Sequence, residues 1–133
     1  MGLNSVQPDG WLPAKGYANG MVSKDGHLFL GGQIGWNEQQ KFECHDFLGQ
    51  FEQVLKNIKA IVEAAGGSTS DIARMTWFIT DKKAYMADQA GVGAAYRTVM
   101  GRHYPAMSVV VVSELIEDEA LIEIEATAVL PSN

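Results

Sequence analysis

Two carboxylates are candidates for acid–base chemistry because they lie within a segment that otherwise has the pattern of a strand. Glu123 and Glu125 belong to residues 121–130, where side chains alternate between two faces. Carboxylates are depleted in strands, so the face that carries them is either solvated or functional. If that face lines an interface, partial desolvation raises the pKa of one carboxyl toward the range useful for proton transfer. The residues alone leave both interpretations open.

A second candidate is a backbone site at Gly31-Gly32, which precedes Gln33 at the end of a predicted strand. Where side chains are absent, exposed N–H groups can meet a ligand oxygen. The alternative is a β-bulge that accommodates a neighbouring strand, and the residues by themselves favour the bulge.

The single cysteine and the three histidines carry weaker signals. Cys44 cannot form an internal disulfide and has no nearby basic partner, so we interpret it as an incidental thiol. His27, His45 and His103 fall at the ends of predicted elements, without the spacing of metal ligands. The sequence also lacks a phosphate-binding glycine loop and the HExxH and GxSxG motifs, so we predict neither a metal site nor a cofactor.

The elements that position these residues form an α+β pattern. Asp25-Gly26 supplies the turn of a β-hairpin, and apolar residues at three- and four-residue steps, ending at Gly66-Gly67, mark an amphipathic helix. The predicted order is strand, strand, helix, strand, helix, strand, strand over residues 17–23, 27–34, 46–65, 72–80, 81–100, 108–113 and 121–130. Residues 1–15 lack periodicity and are interpreted as an N-terminal arm of a single domain over residues 1–133.

This order of elements leaves one face of the sheet uncovered. Two helices cover only one face of a mixed sheet of about five or six strands. The four valines at 109–112 are typical of a strand buried on both faces, and no remaining element is large enough to shield them. We therefore expect another copy of the chain to cover the second face.

The composition excludes several classes of function. The chain has 133 residues, of which 47% are hydrophobic, and a net charge of -6, so it has enough apolar residues for a packed core but no basic surface for nucleic acid. Its apolar runs are too short for a membrane helix or a secretory signal. We expect a cytoplasmic protein without a membrane or nucleic-acid partner.

Short motifs occur in a characteristic order between residues 16 and 130. They are Gly31-Gly32-Gln33-Ile34, Asn57, Ala64-Ala65-Gly66, Tyr96, Pro105-Ala106-x-Ser108 and Glu123-Ile124-Glu125-Ala126. Through them the chain resembles the Rid (reactive intermediate deaminase, formerly YjgF) family. The resemblance implies a homotrimer whose sheets form a central barrel, with a small-molecule cleft at each subunit interface.

The resemblance also implies an activity, because deaminase members of the Rid family hydrolyse small enamines and imines without a cofactor. By position, it implies that Tyr17 lines the cleft, that Gly31 and Gly32 form its backbone site, and that Glu123 orients the hydrolytic water. One position departs from the pattern: where deaminases have an arginine that binds the substrate carboxylate, this chain has Met107. Methionine cannot donate such a hydrogen bond.

The function implied by the resemblance is therefore an enamine or imine deaminase whose substrate is not one of the usual 2-imino acids. Gly93 and Val109 replace polar residues of the family pattern, so we expect a larger and more apolar cleft. The alternative is a non-catalytic trimer that binds small molecules or partner proteins. Ribonuclease activity, also credited to the family, ranks last because the negative charge opposes RNA binding.

Overall fold

A computed structural model describes residues 2–132 and shows one mixed sheet with helices on one face. The strands are β1 (Leu3–Val6), β2 (Gly20–Ser23), β3 (His27–Ile34), β4 (Ile72–Ile79), β5 (Ala106–Val111) and β6 (Ile122–Val129). Their spatial order is β1-β2-β3-β6-β4-β5, and only the β4–β5 pair is parallel. The helices are α1 (Phe47–Ala64), α2 (Lys82–Met86) and α3 (Gln89–Met100). The predicted α+β class with a mixed sheet is confirmed.

The hairpin and the first helix form where the local residues predict them. Gly26 adopts a φ of 90° in the turn between β2 and β3, and its N–H donates to the Ser23 carbonyl at 3.1 Å. Asp46 caps α1 by accepting a hydrogen bond from the Gly49 N–H at 3.2 Å. Gly66, with a φ of 91°, follows the end of α1.

Two parts of the chain differ from the prediction. Residues Leu3–Val6 of the predicted arm form β1, which pairs antiparallel with β2 at the edge of the sheet. Three of its four residues are exposed, so no apolar alternation marks this strand in the sequence. The predicted helix over 81–100 is instead α2 and α3, because Asp88 begins a new helix by accepting from the Gly91 N–H at 2.8 Å.

The core lies between the helices and one face of the sheet, and β6 shows how the two faces divide. Ile122, Ile124, Ala126 and Ala128 are buried toward the helices. Glu123 and Glu125 alternate with them and point to the opposite face, as the sequence predicts. The candidate acids therefore lie on the face of the sheet that the helices do not cover.

That second face is open within one chain. β5 is an edge strand, and Val110, which points to the same face as Glu123, keeps 40% of its surface exposed. The prediction of a strand buried on both faces is therefore not met within a single chain. Phe29 of β3 is also exposed, which adds an aromatic ring to this uncovered face.

Candidate functional site

A cavity of about 400 Å³, which we call the Glu123 cavity, lies where β3 and β6 meet the segment before β2. Its lining residues are Tyr17, Ala18, Asn19, Gly31, Gly32, Gln33, Ile34, Trp36, Ile116, Glu117 and Glu123. The fold thus brings together Tyr17, Gly31, Gly32 and Glu123, which the sequence analysis places at one site.

The missing side chain at Gly32 makes room for Glu123. A Cβ atom at position 32 would lie 1.9 Å from Glu123 Oε2 and 2.7 Å from its Cδ. Both distances are far below van der Waals contact, so a residue with a side chain would displace the carboxylate. The β3–β6 register also shifts between Leu30 and Gln33, which confirms the β-bulge interpretation. The Gly31 N–H donates to the Asn19 carbonyl at 2.9 Å, so it is already used within the chain.

The surroundings of Glu123 favour the protonated form of its carboxyl. Burial in the cavity wall raises the pKa of its carboxyl above the usual 4.5, and the nearby negative charge of Glu125 raises it further. A carboxylate with a raised pKa is a stronger base than an exposed one. The sequence links this effect to an interface, whereas burial within one chain is enough to raise the pKa.

The floor of the Glu123 cavity is made of buried amide side chains. Asn19 and Gln33 are only 7% and 4% exposed. Gln33 Nε2 donates to Asn19 Oδ1 at 3.2 Å, and Asn19 Nδ2 donates to Gln7 Oε1 at 2.8 Å. Buried amides with satisfied hydrogen bonds hold a fixed geometry. Asn19 was missed in the sequence because an asparagine before a strand is typical of a turn.

Two side chains of helix α1 position two segments that line the Glu123 cavity. Asn57 Nδ2 donates to the Trp36 carbonyl at 2.8 Å, which fixes the chain as it leaves β3. Gln50, which is fully buried, accepts from the Leu121 N–H and donates to the Glu119 carbonyl, both at 2.8 Å. These bonds anchor the loop that carries Ile116 and Glu117. Neither lining residue was predicted, since both come from a segment that appears only as an acidic turn in the sequence.

Met107 lies outside the Glu123 cavity. In the parallel β4–β5 ladder it pairs with Met75, which is fully buried beneath the helices. Paired residues point to the same face, so Met107 points to the helix side of the sheet while Glu123 points to the open side. Strand β4 also separates β5 from β6. One chain therefore does not place both residues at a single site.

The remaining reactive side chains lie away from the Glu123 cavity. Cys44 is half-buried before α1, and His27 and His45 are exposed beside carboxylates. His103 Nε2 is hydrogen-bonded to the Ile72 carbonyl at 2.6 Å, so it connects the end of α3 to the sheet. Among residues 2–132, no group of three or more His, Cys, Asp or Glu side chains is arranged to hold a metal ion. In the same residues, no helix has the length and apolar character needed to cross a membrane.

A comparison with known protein families assigns the chain to a family. The family model described as Endoribonuclease L-PSP matches residues 9–130, which include the whole lining of the Glu123 cavity. The chain belongs to the Rid (YjgF) family.

Rid relatives of known structure and of known activity are both similar to this chain. The 2-iminobutanoate/2-iminopropanoate deaminase of Salmonella typhimurium is 41% identical over 105 residues, spanning 77% of this chain and 78% of that enzyme. The YjgF gene product of Escherichia coli superposes with a TM-score of 0.79 at 36% identity, covering 95% of this chain and 98% of its own. Escherichia coli TdcF with bound serine gives a TM-score of 0.80 at 34% identity, covering 96% and 99%.

Tyr96, a residue of the Rid motif set, has a structural role in this chain. The Tyr96 hydroxyl donates to the His103 carbonyl at 2.5 Å, and its ring packs in the core. Burial, with a smaller effect of Tyr104, raises the pKa of Tyr96 to about 12. The hydroxyl therefore remains a protonated donor, and it holds the turn after α3 rather than a ligand.

Proposed function

We propose that this Rid protein is an imine or enamine deaminase that hydrolyses a small reactive metabolite to a carbonyl compound and ammonia. The observation that carries the proposal is the half-buried Glu123 carboxyl, with its raised pKa, above Gly32 in a cavity of about 400 Å³. The 41% identity to an enzyme named as an iminobutanoate and iminopropanoate deaminase supports it. The proposal includes a cytoplasmic location, because short-lived imines must be hydrolysed where they form.

Glu123 would move protons in both halves of the reaction. As a general base it accepts a proton from water while the water oxygen bonds to the imine carbon and the C=N electron pair moves to nitrogen. The protonated carboxyl returns the proton to nitrogen, which gives a carbinolamine. In the second half Glu123 takes the proton of the carbinolamine hydroxyl and passes it to nitrogen, the C–N bond breaks, and ammonia leaves as the C=O bond forms. The net reaction consumes one water for each imine. Tyr17 and Trp36 supply apolar walls for the carbon skeleton.

We further propose that a second copy of the chain completes the site in a homotrimer. The open face of the sheet, with exposed Phe29 and Val110, supports an assembly that covers it. Met107 and Glu123 point to opposite faces, so they could share a cleft only if different copies supplied them. Met107 would then provide an apolar surface where other deaminases bind a carboxylate.

An assay of imine hydrolysis tests the proposed function. Imines are generated in situ by flavin oxidases from amino acids and from amines without a carboxylate, and semicarbazide traps the imine that remains. We expect the purified protein to lower the trapped fraction for at least one imine that has no carboxylate beside the reacting carbon. Only slight acceleration is expected for 2-iminopropanoate. If no imine in the panel were hydrolysed faster than in buffer, the protein would be a binding protein instead.

The pH dependence of kcat/KM is expected to report the Glu123 environment. A general base must be ionised, so activity should rise with pH through a midpoint above the usual 4.5. Glu125→Gln removes the smaller cause of the raised pKa and should move this midpoint to lower pH, although not to 4.5, because burial remains. Glu52→Gln on the exposed side of α1 is the control and should leave the midpoint in place. An unchanged midpoint in Glu125→Gln would contradict the assignment.

A further inference from the structure

A second cavity, of about 460 Å³, adjoins the Glu123 cavity, and we call it the Lys15 cavity. Its lining residues are Leu12, Pro13, Lys15, Tyr17, Trp36 and Gln40. Tyr17 and Trp36 belong to both linings, so the two cavities meet at a pair of aromatic side chains. Aromatic rings at such a junction can contact the apolar body of an extended ligand.

Hydrogen bonds hold the outer wall of the Lys15 cavity in place. Gln7 Nε2 donates to the Trp11 carbonyl at 3.2 Å and to the Leu12 carbonyl at 3.0 Å. The Leu12 N–H donates to the Glu38 carbonyl at 3.0 Å. Since Gln7 also accepts from Asn19, this wall is connected to the amide floor of the Glu123 cavity. The segment that precedes Lys15 is therefore connected by hydrogen bonds to the lining of the Glu123 cavity.

The charges differ between the two cavities. Glu117 and Glu123 line the Glu123 cavity, whereas Lys15 supplies a cation to the other one. The ion pairs found within residues 2–132 do not include Lys15. An anionic group is therefore repelled from the Glu123 end and attracted to the Lys15 end.

We propose that the two cavities form one elongated site in which Lys15 binds a carboxylate at the far end of the substrate. The substrate class is an imine or enamine whose carboxylate is separated from the reacting carbon by an apolar stretch of several carbons. This inference rests on the proposed function and adds a substrate class to it. A carboxylate next to the imine carbon would lie beside Glu123, whereas a distant one reaches Lys15. The site can thus bind an acid without an arginine at position 107.

A matched pair of imines tests this inference. The imine of 6-aminohexanoate and the imine of hexylamine, both formed in situ by oxidation, have the same chain length and differ in the terminal carboxylate. Lys15→Met should raise KM for the carboxylated imine about three- to tenfold, leave kcat unchanged, and leave the neutral imine unaffected. Lys15→Arg should restore the low KM. Lys24→Met, in the exposed turn between β2 and β3, removes the same charge elsewhere and should behave as wild type.

The outcomes separate this inference from the proposed function. If wild type hydrolyses imines and Lys15→Met has the same KM as wild type for each member of the pair, Lys15 is not an anion site and the deaminase proposal stands. If no imine is hydrolysed, calorimetric titration with hexanoate and with 1-hexanol decides the question. Tighter binding of hexanoate that Lys15→Met abolishes would support the elongated site. Equal binding of the two probes would overturn it. Lys15 is exposed, so loss of folding is not expected, and thermal unfolding of each variant checks this.

Discussion

Glu123→Gln is expected to lower kcat for imine hydrolysis by about 10²- to 10⁴-fold with little change in KM. Glutamine keeps the size of the side chain above Gly32, but its amide cannot take a proton from water at neutral pH. Single-turnover ammonia release with saturating imine measures the loss. Glu125→Gln, two residues along the same face, is the matched control and should keep kcat within a few-fold of wild type at neutral pH.

Glu123→Gln is expected to stabilise the folded protein at neutral pH while it lowers kcat. A loss of activity in this variant can therefore be separated from a loss of folding. Because burial raises the pKa of Glu123, the folded state favours its protonated form, and ionisation at neutral pH costs stability. Glu123→Gln removes that cost, so its free energy of unfolding should exceed that of wild type at neutral pH. The gain should fade as pH drops through the raised pKa toward the usual value of 4.5, since both proteins then carry a neutral group. Denaturant unfolding at two pH values measures it.

The position of the carboxylate can be checked with Gly32→Ala. The added Cβ would overlap Glu123 Oε2, Cδ and Cγ, so the whole side chain must move while the backbone conformation of residue 32 tolerates alanine. Gly32→Ala should therefore reduce kcat in the wild-type background and cause little further loss in Glu123→Gln. Equal losses in both backgrounds would show that Glu123 is not the group that Gly32 accommodates. An undiminished kcat in Glu123→Gln would assign the proton transfer to another residue, and Glu117 is the other carboxylate in the same lining.

The sequence predicts the elements in which buried and exposed side chains follow a regular period. The alternation in β6 separates buried Ile124 from Glu123 and Glu125, and the three- and four-residue steps in α1 identify its buried face, because both patterns record contact with the core. Strand β1 pairs through its backbone and remains largely exposed, so its side chains show no apolar periodicity. Asp88 divides one apparent helix because its side chain accepts a hydrogen bond from the Gly91 N–H and begins a new helix. Apolar periodicity does not reveal such a local side-chain-to-backbone bond.

The site could be predicted only in part, for a related reason. Glu123 is conspicuous because a carboxylate is unusual within a strand. Trp36, Glu117 and Lys15 belong to loops that have no periodicity, and they reach the site through contacts between distant parts of the chain. Those contacts depend on buried amides such as Gln50 and Asn57, whose partners are backbone groups and therefore leave no pattern in the sequence.

Met107→Arg is expected to raise kcat/KM for 2-iminopropanoate about ten- to hundredfold. A guanidinium can form a bidentate, charge-assisted pair with a carboxylate, which the thioether of methionine cannot. Met107→Lys supplies the charge without the paired donors and should give a smaller gain. Semicarbazone trapping of the imine formed from alanine measures all three proteins. An unchanged rate in Met107→Arg would show that position 107 does not face the substrate carboxylate.

Mixed assemblies determine which copy of the chain supplies each group. Met107 and Glu123 point to opposite faces of one sheet, so the arginine introduced in one copy is expected to serve the Glu123 of another. The double variant Met107→Arg with Glu123→Gln should be inactive alone, and wild type should remain slow with 2-iminopropanoate. Co-assembled from a denatured mixture, the two proteins should be faster than either, because some interfaces then combine the introduced arginine of the variant with Glu123 from wild type. If the mixture only averaged its components while Met107→Arg alone gained activity, each site would lie within a single chain.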